Sequence, residues 1–84
     1  MKPIRLTRHA QEQCIERGAT ESEVCYAILN GNREPAKLGR EICHFSFSFN
    51  KNWQEKFYAV KQVAPVIKEE QDEIVVITVY TMYF

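Results

Sequence analysis

Net charge is missing from this 84-residue chain: 11 Lys and Arg stand against 11 Asp and Glu. That balance excludes a broadly cationic surface of the kind many nucleic-acid binders carry, but not a local basic patch. The charges are uneven along the chain. Lys2, Arg5 and Arg8 precede the first acid, whereas Glu69, Glu70, Asp72 and Glu73 gather late. Long apolar runs are missing too: no stretch approaches the roughly 20 residues that cross a bilayer as a helix. The opening MKPIRLTRHA has basic residues without the apolar core of a secretory signal. The expectation is a cytoplasmic protein with no membrane partner.

The three cysteines, Cys14, Cys25 and Cys43, are odd in number and far apart. No C-x-x-C pair occurs and neither histidine sits at zinc-finger spacing from them, so neither a disulfide framework nor a metal centre is indicated. They read as small buried hydrophobes. Glycine-rich phosphate loops, H-E-x-x-H, G-x-S-x-G and aromatic RNA-binding signatures are also absent, which leaves no cofactor to expect. Repeats, low-complexity stretches and linkers are lacking, so residues 1–84 read as a single domain.

What is present begins with two short helices. Thr7 can cap the first, expected over about residues 8–17, and Gly18 suits its C-terminal stop. T-E-S-E follows, with Thr20 as N-cap and Glu23 as the reciprocal partner of a capping box. The second helix should run to about Asn30, with Val24, Cys25, Ile28 and Leu29 on one face and Gly31 as its stop.

Beyond Gly31 the period changes to two. In C-H-F-S-F-S-F, residues 43–49, Cys43, Phe45, Phe47 and Phe49 alternate with His44, Ser46 and Ser48. Asn50-Lys51-Asn52 reads as a hairpin loop, and a further strand runs from about Lys56 to Ala64, where Pro65 forces a bulge, an edge or an end. E-I-V-V-I-T-V-Y-T-M-Y is apolar on both faces, which suits a central strand. Residues 3–6 can pair beside it, and residues 33–38 can add a short piece. The fold class is α+β: two N-terminal helices on one face of an antiparallel sheet of three to four strands. Either Val75, Ile77, Val79, Thr81 and Tyr83 or Ile74, Val76, Thr78, Tyr80 and Met82 face the helices. The other set is too apolar to sit comfortably in water, and a homodimer through this strand is its natural cover.

Candidate chemistry begins on the first helix. Leu6, Ala10 and Cys14 form its core stripe, and His9, Gln13 and Arg17 follow one another at i, i+4 and i+8 along the flank. Such a polar rail faces a cleft between helix and sheet. The plainer alternative is that Arg17 interacts with the helix dipole and snorkels round its edge. His44 shares a strand face with two serines. Arg40, Lys56 and Lys61 lie on sheet segments, and Tyr58, Thr78 and Tyr80 bring hydroxyls. A metal-free ribonuclease needs a base for the 2′-hydroxyl, an acid for the leaving oxygen and a cation for the phosphate. His9, His44, Arg17, Arg40 and Tyr80 are residue types that fill those roles.

T-R-H-A, then E-R-G with a capped second helix, then I-T-V-Y near the C-terminus together resemble a bacterial domain family of unknown function. That family carries a [ST]-x-H-A…R-G signature and is grouped with the RelE and BrnT toxins in a barnase, EndoU, colicin and RelE (BECR) ribonuclease-like fold class. The resemblance extends from Ile4 to Tyr80. It implies a RelE/BrnT-like fold and a metal-independent endoribonuclease with His9, Arg17 and Tyr80 as catalytic residues. The resemblance also carries over to Thr78, which joins Arg8, Arg40 and His44, candidates by residue type and position, as an expected contact for the RNA substrate. It implies a cognate antitoxin that neutralises the protein. Many members carry an arginine where this chain has Gln13. The alternative from a different class is a non-catalytic protein-binding or dimerisation module on the same fold.

Overall fold

The structure is a computed structural model and describes residues 2–84. Strand β1 (Ile4–Leu6) leads into α1 (Arg8–Arg17) and α2 (Glu21–Asn30). Strand β2 (Asn32–Pro35), a short 3-10 turn at Lys37–Gly39, and strands β3 (Glu41–Trp53), β4 (Lys56–Glu69) and β5 (Ile74–Tyr83) complete the chain. Among the described residues no helix is long and apolar enough to cross a membrane.

Local chemistry sets the helix ends. The Ala10 N–H donates to Thr7 Oγ1 at 3.1 Å, and Gly18 closes α1 in the left-handed region at φ 76°. The capping box is formed: the Glu23 N–H donates to Thr20 Oγ1 at 3.1 Å, and the Thr20 N–H to Glu23 Oε1 at 3.0 Å. Gly31 ends α2 for a different reason. Its φ of −82° suits any residue, but a Cβ there would run into the carbonyl oxygens of His44 and Ala27. The buried stripe of α2 is Val24, Ala27 and Ile28, the i, i+3, i+4 set. It is rotated from the expected face, so Leu29 is half exposed and Cys25 only partly buried.

The sheet order is β1-β5-β4-β3-β2. It has five strands, more than the three to four expected, and it is mixed instead of antiparallel. β1 runs parallel to β5, with Ile4↔Ile74 and Leu6↔Val76 in register. A parallel neighbour requires a crossover, and everything between β1 and β5 supplies it. The remaining neighbours are antiparallel.

Three further expectations are corrected. First, the β3–β4 turn falls at Gln54–Glu55, both at positive φ (49° and 71°), between the paired Trp53 and Lys56. That geometry belongs to a two-residue hairpin turn. Asn50, also at positive φ, sits instead in a bulge between the Ser48↔Val60 and Lys51↔Tyr58 pairs. Second, of the three outcomes expected at Pro65, an end and an edge do not occur, since β4 runs on to Glu69 with Pro65 fully buried opposite Val79, whereas a bulge does lie next to it, between Val66 and Ile67. The β3–β4 pairs step past Pro65 from Ile42↔Val66 to Phe45↔Val63, where its missing N–H would interrupt the ladder. Third, neither alternating set of β5 faces the helices throughout. Val66 pairs with Thr78 and Ile67 with Val76, leaving Ile77 as an extra residue. The bulge reverses the phase, so Ile74 and Val76 before it and Val79 after it enter one core.

That core lies between the helix pair and the sheet, with Val24, Val63, Ile67, Val76 and Val79 inaccessible. Each such side chain contributes about 1.5–3 kcal/mol relative to exposure. Lys61 shares their face and is 5 % exposed. Its ammonium meets Glu23 Oε1 at 2.8 Å and donates to Gly18 O at 2.9 Å, tying the helix junction to β4. A buried cation persists only with such partners.

Candidate functional site at the β5 edge

Because β1 stops at Leu6, opposite Val76, no strand among the described residues lies along the β1 side of β5 from Ile77 onward. Helix α1 takes that place with side chains. The Thr7 N–H donates to Val76 O at 3.1 Å, and Thr7 Oγ1 to Ile77 O at 3.3 Å. Gln13 Oε1 accepts from the Val79 N–H at 3.0 Å and from the Thr78 hydroxyl. Arg17 Nη1 donates to Val79 O at 2.7 Å. Both outward backbone groups of buried Val79 are thus satisfied from one helix flank, avoiding the cost of an unpaired buried amide. The Arg17 carbonyl in turn accepts from Thr81 Oγ1 at 3.1 Å and from the Tyr83 hydroxyl at 2.6 Å. Burial, with Glu23 adding to it, pushes the Tyr83 phenol above its ordinary range.

Gln13 therefore has a structural role that an arginine cannot reproduce, since a guanidinium donates but does not accept. The Arg17 guanidinium carbon lies 5.3 Å from the Tyr80 ring centroid, a cation–π contact. Tyr80 is half exposed. His9 is exposed and stands outside this hydrogen-bond network, one turn before Gln13. Eight residues separate His9 from Arg17, about 12 Å along a helix axis. Helical side chains lean towards the N-terminus, however, and Arg17 reaches the same β5 residue as Gln13.

The other nominated residues lie elsewhere. Arg8 is exposed and 3.5 Å from Glu12. Its expected basic companions are paired with acids. Lys2 Nζ is 2.9 Å from Glu69 Oε2, and Arg5 reaches Glu73 through two hydrogen bonds of 3.0 Å. Hydrogen bonds from Lys2 and then Arg33 hold the Glu69 carboxyl below its usual range, and Arg5 does the same for Glu73. Arg40 precedes β3, with β4 between that strand and β5. His44 is on β3 beside an open cleft of about 400 Å³, lined also by Asn30, Asn32, Ser46 and Gln62. Its Nε2 is 3.8 Å from Glu34 Oε2 and has no hydrogen bond among the described residues. The structure therefore brings Arg17, Thr78 and Tyr80 together around Gln13 and Val79, with His9 exposed on the same helix, and leaves Arg40 and His44 two strands away.

Sequence reasoning missed the acceptor role of Gln13 and the burial of Lys61. The signal for Lys61 was its two-residue step from Val63. Burial raises all three thiols, Cys14, Cys25 and Cys43, which makes them poor nucleophiles.

Fold and rim together define a small α+β domain whose last strand is edged by side chains of its first helix. The chain belongs to the DUF4258 family, a domain of unknown function whose model matches residues 6–81. No match was found among curated proteins or solved structures.

Proposed function

We propose that this chain is a metal-independent ribonuclease-like domain of RelE/BrnT-type ancestry that engages RNA at the β5 rim. The observation that carries this reading is the fixed guanidinium of Arg17, held between Val79 O and the Tyr80 ring at a strand edge. One Nη1 donor is committed to Val79, and the remaining N–H groups can meet a phosphate. Tyr80 offers a half-exposed ring on which a base can stack. His9 supplies one of the two proton transfers, either from the 2′-hydroxyl or to the departing 5′-oxygen. A cognate antitoxin is the partner that this ancestry implies.

The test is cleavage of a mixed RNA pool by purified protein in EDTA, wild type beside His9→Ala. His9 is exposed and outside the network that holds α1 to β5, so the variant should fold normally. Loss of cleavage by about 100-fold or more is the expected result. Absence of cleavage by wild type at high protein concentration would sink the catalytic reading.

The second reading is a non-catalytic dimerisation or protein-binding module. It is favoured by the engagement of Gln13 and Arg17 with β5 backbone and by the exposed apolar side chains of Tyr80, Met82 and Phe84.

A further inference from the structure

Helix α1 covers the β5 edge only as far as Val79. The Phe84 N–H and C=O bond to Val60 of β4, and outward and inward backbone groups alternate along an antiparallel strand. The Tyr83 and Thr81 backbone groups therefore point away from β4, as those of Val79 do. Only their side chains reach Arg17. From Ile74 to Tyr83 the strand has no charged residue and no proline, the features that usually keep an edge from pairing.

We propose that two copies of this chain pair antiparallel through β5, with Met82 on the two-fold axis. This inference deepens the dimerisation reading and does not depend on RNA cleavage. In that register Thr81 faces Tyr83 of the second copy and exchanges both N–H···O=C bonds with it, and symmetry repeats the exchange. On the face away from the helices Met82 meets its own counterpart, while Tyr80 meets Phe84 of the second copy. The three side chains are about half exposed in the single copy (47, 46 and 62 % for Tyr80, Met82 and Phe84). The same residues supply both halves, as an isologous contact requires. Like charges do not oppose one another along the paired segment. The segment is short, so the contact lies at the small end of specific interfaces, with a dissociation constant on the order of micromolar to 100 μM.

Sedimentation of the full chain across that range should show a concentration-dependent dimer, and Met82→Lys, which sets like charges across the axis, should weaken association at least tenfold. Met82→Cys tests the register. Facing residues of a non-hydrogen-bonded pair lie about 4.5 Å apart at Cα, within the roughly 4.4–6.8 Å that a disulfide spans. Mild oxidation should therefore link Met82→Cys chains into a dimer that wild type, with its own three cysteines, does not form. Circular dichroism of both variants confirms folding. A wild type that stays monomeric throughout overturns both the pairing and the dimerisation reading. A dimer that persists in Met82→Lys, or a Met82→Cys chain that links no better than wild type, overturns the register while leaving self-association standing.

Discussion

The two outer edges of the sheet solve one problem in opposite ways. At β2 the strand protects itself. It is four residues long, each of them in an exposed position, and it contains Arg33, Glu34 and Pro35. Arg33 pairs with Glu69 at 3.0 Å and with Glu41 at 3.4 Å. Charge, proline and shortness together discourage a further strand. The β5 edge has none of these and relies on α1, whose side chains occupy Val79 and stop there. Protection within a strand is local and costs little to alter. Protection from a distant helix satisfies buried backbone, so its loss is felt by the whole fold.

The largest expected effect comes from removing the distant kind. Gln13→Leu leaves the buried Val79 N–H without its acceptor, and urea unfolding should show a loss of about 1–3 kcal/mol. Gln13→Arg should lose a similar amount although it restores a cation to the rail, whereas Gln13→Glu keeps an acceptor. If Gln13→Arg matches wild type, Val79 has another partner and the contrast between the edges fails. Arg33→Ala at the β2 edge should cost less than about 1 kcal/mol in the same assay, because its ion pairs are partly solvated.

Acid gives the smallest and sharpest separation. Glu69 and Glu73 have carboxyls lowered by their cationic partners. Their contribution is complete above the ordinary carboxylate range and fades as pH falls through 4.5 towards the lower folded values. Melting temperatures from pH 7 to about pH 3 should decline in wild type and decline less in Arg33→Ala, which already lacks part of the Glu69 pairing. Equal declines would show that Lys2 alone holds Glu69.

The helices were legible because their signals are local. Thr7, Gly18 and the Thr20–Glu23 box act within four residues of where they stand. The sheet was legible in outline and misread in its irregularities. Asn50 carried the turn signal but serves a bulge, while Gln54 and Glu55 form the turn without the asparagine or glycine that such turns favour. Ile77 carries no mark of its extra place in β5. The bulge is defined only by pairing with β4, so alternation alone could not choose between the two faces. The i, i+4, i+8 spacing pointed Gln13 and Arg17 towards a cleft between helix and sheet, and both reach the sheet at β5. What it could not convey was their engagement with the backbone of Val79, more than sixty residues away. Lys61 was hidden for the same reason, since its partners Glu23 and Gly18 lie in the helix junction.

The parallel placement of β1 also governs where attachments to this domain would sit. Pro3 O accepts the Ile74 N–H at one end of β5, whereas Phe84 is bonded to Val60 beyond the other end. About nine strand steps, roughly 30 Å, separate these two points. A fluorophore or affinity tag placed ahead of Pro3 is therefore remote from the open backbone of Thr81 and Tyr83. Any sequence continuing past Phe84 emerges beside that backbone and can shield it, so the side chosen for a tag decides whether self-pairing is observed at all.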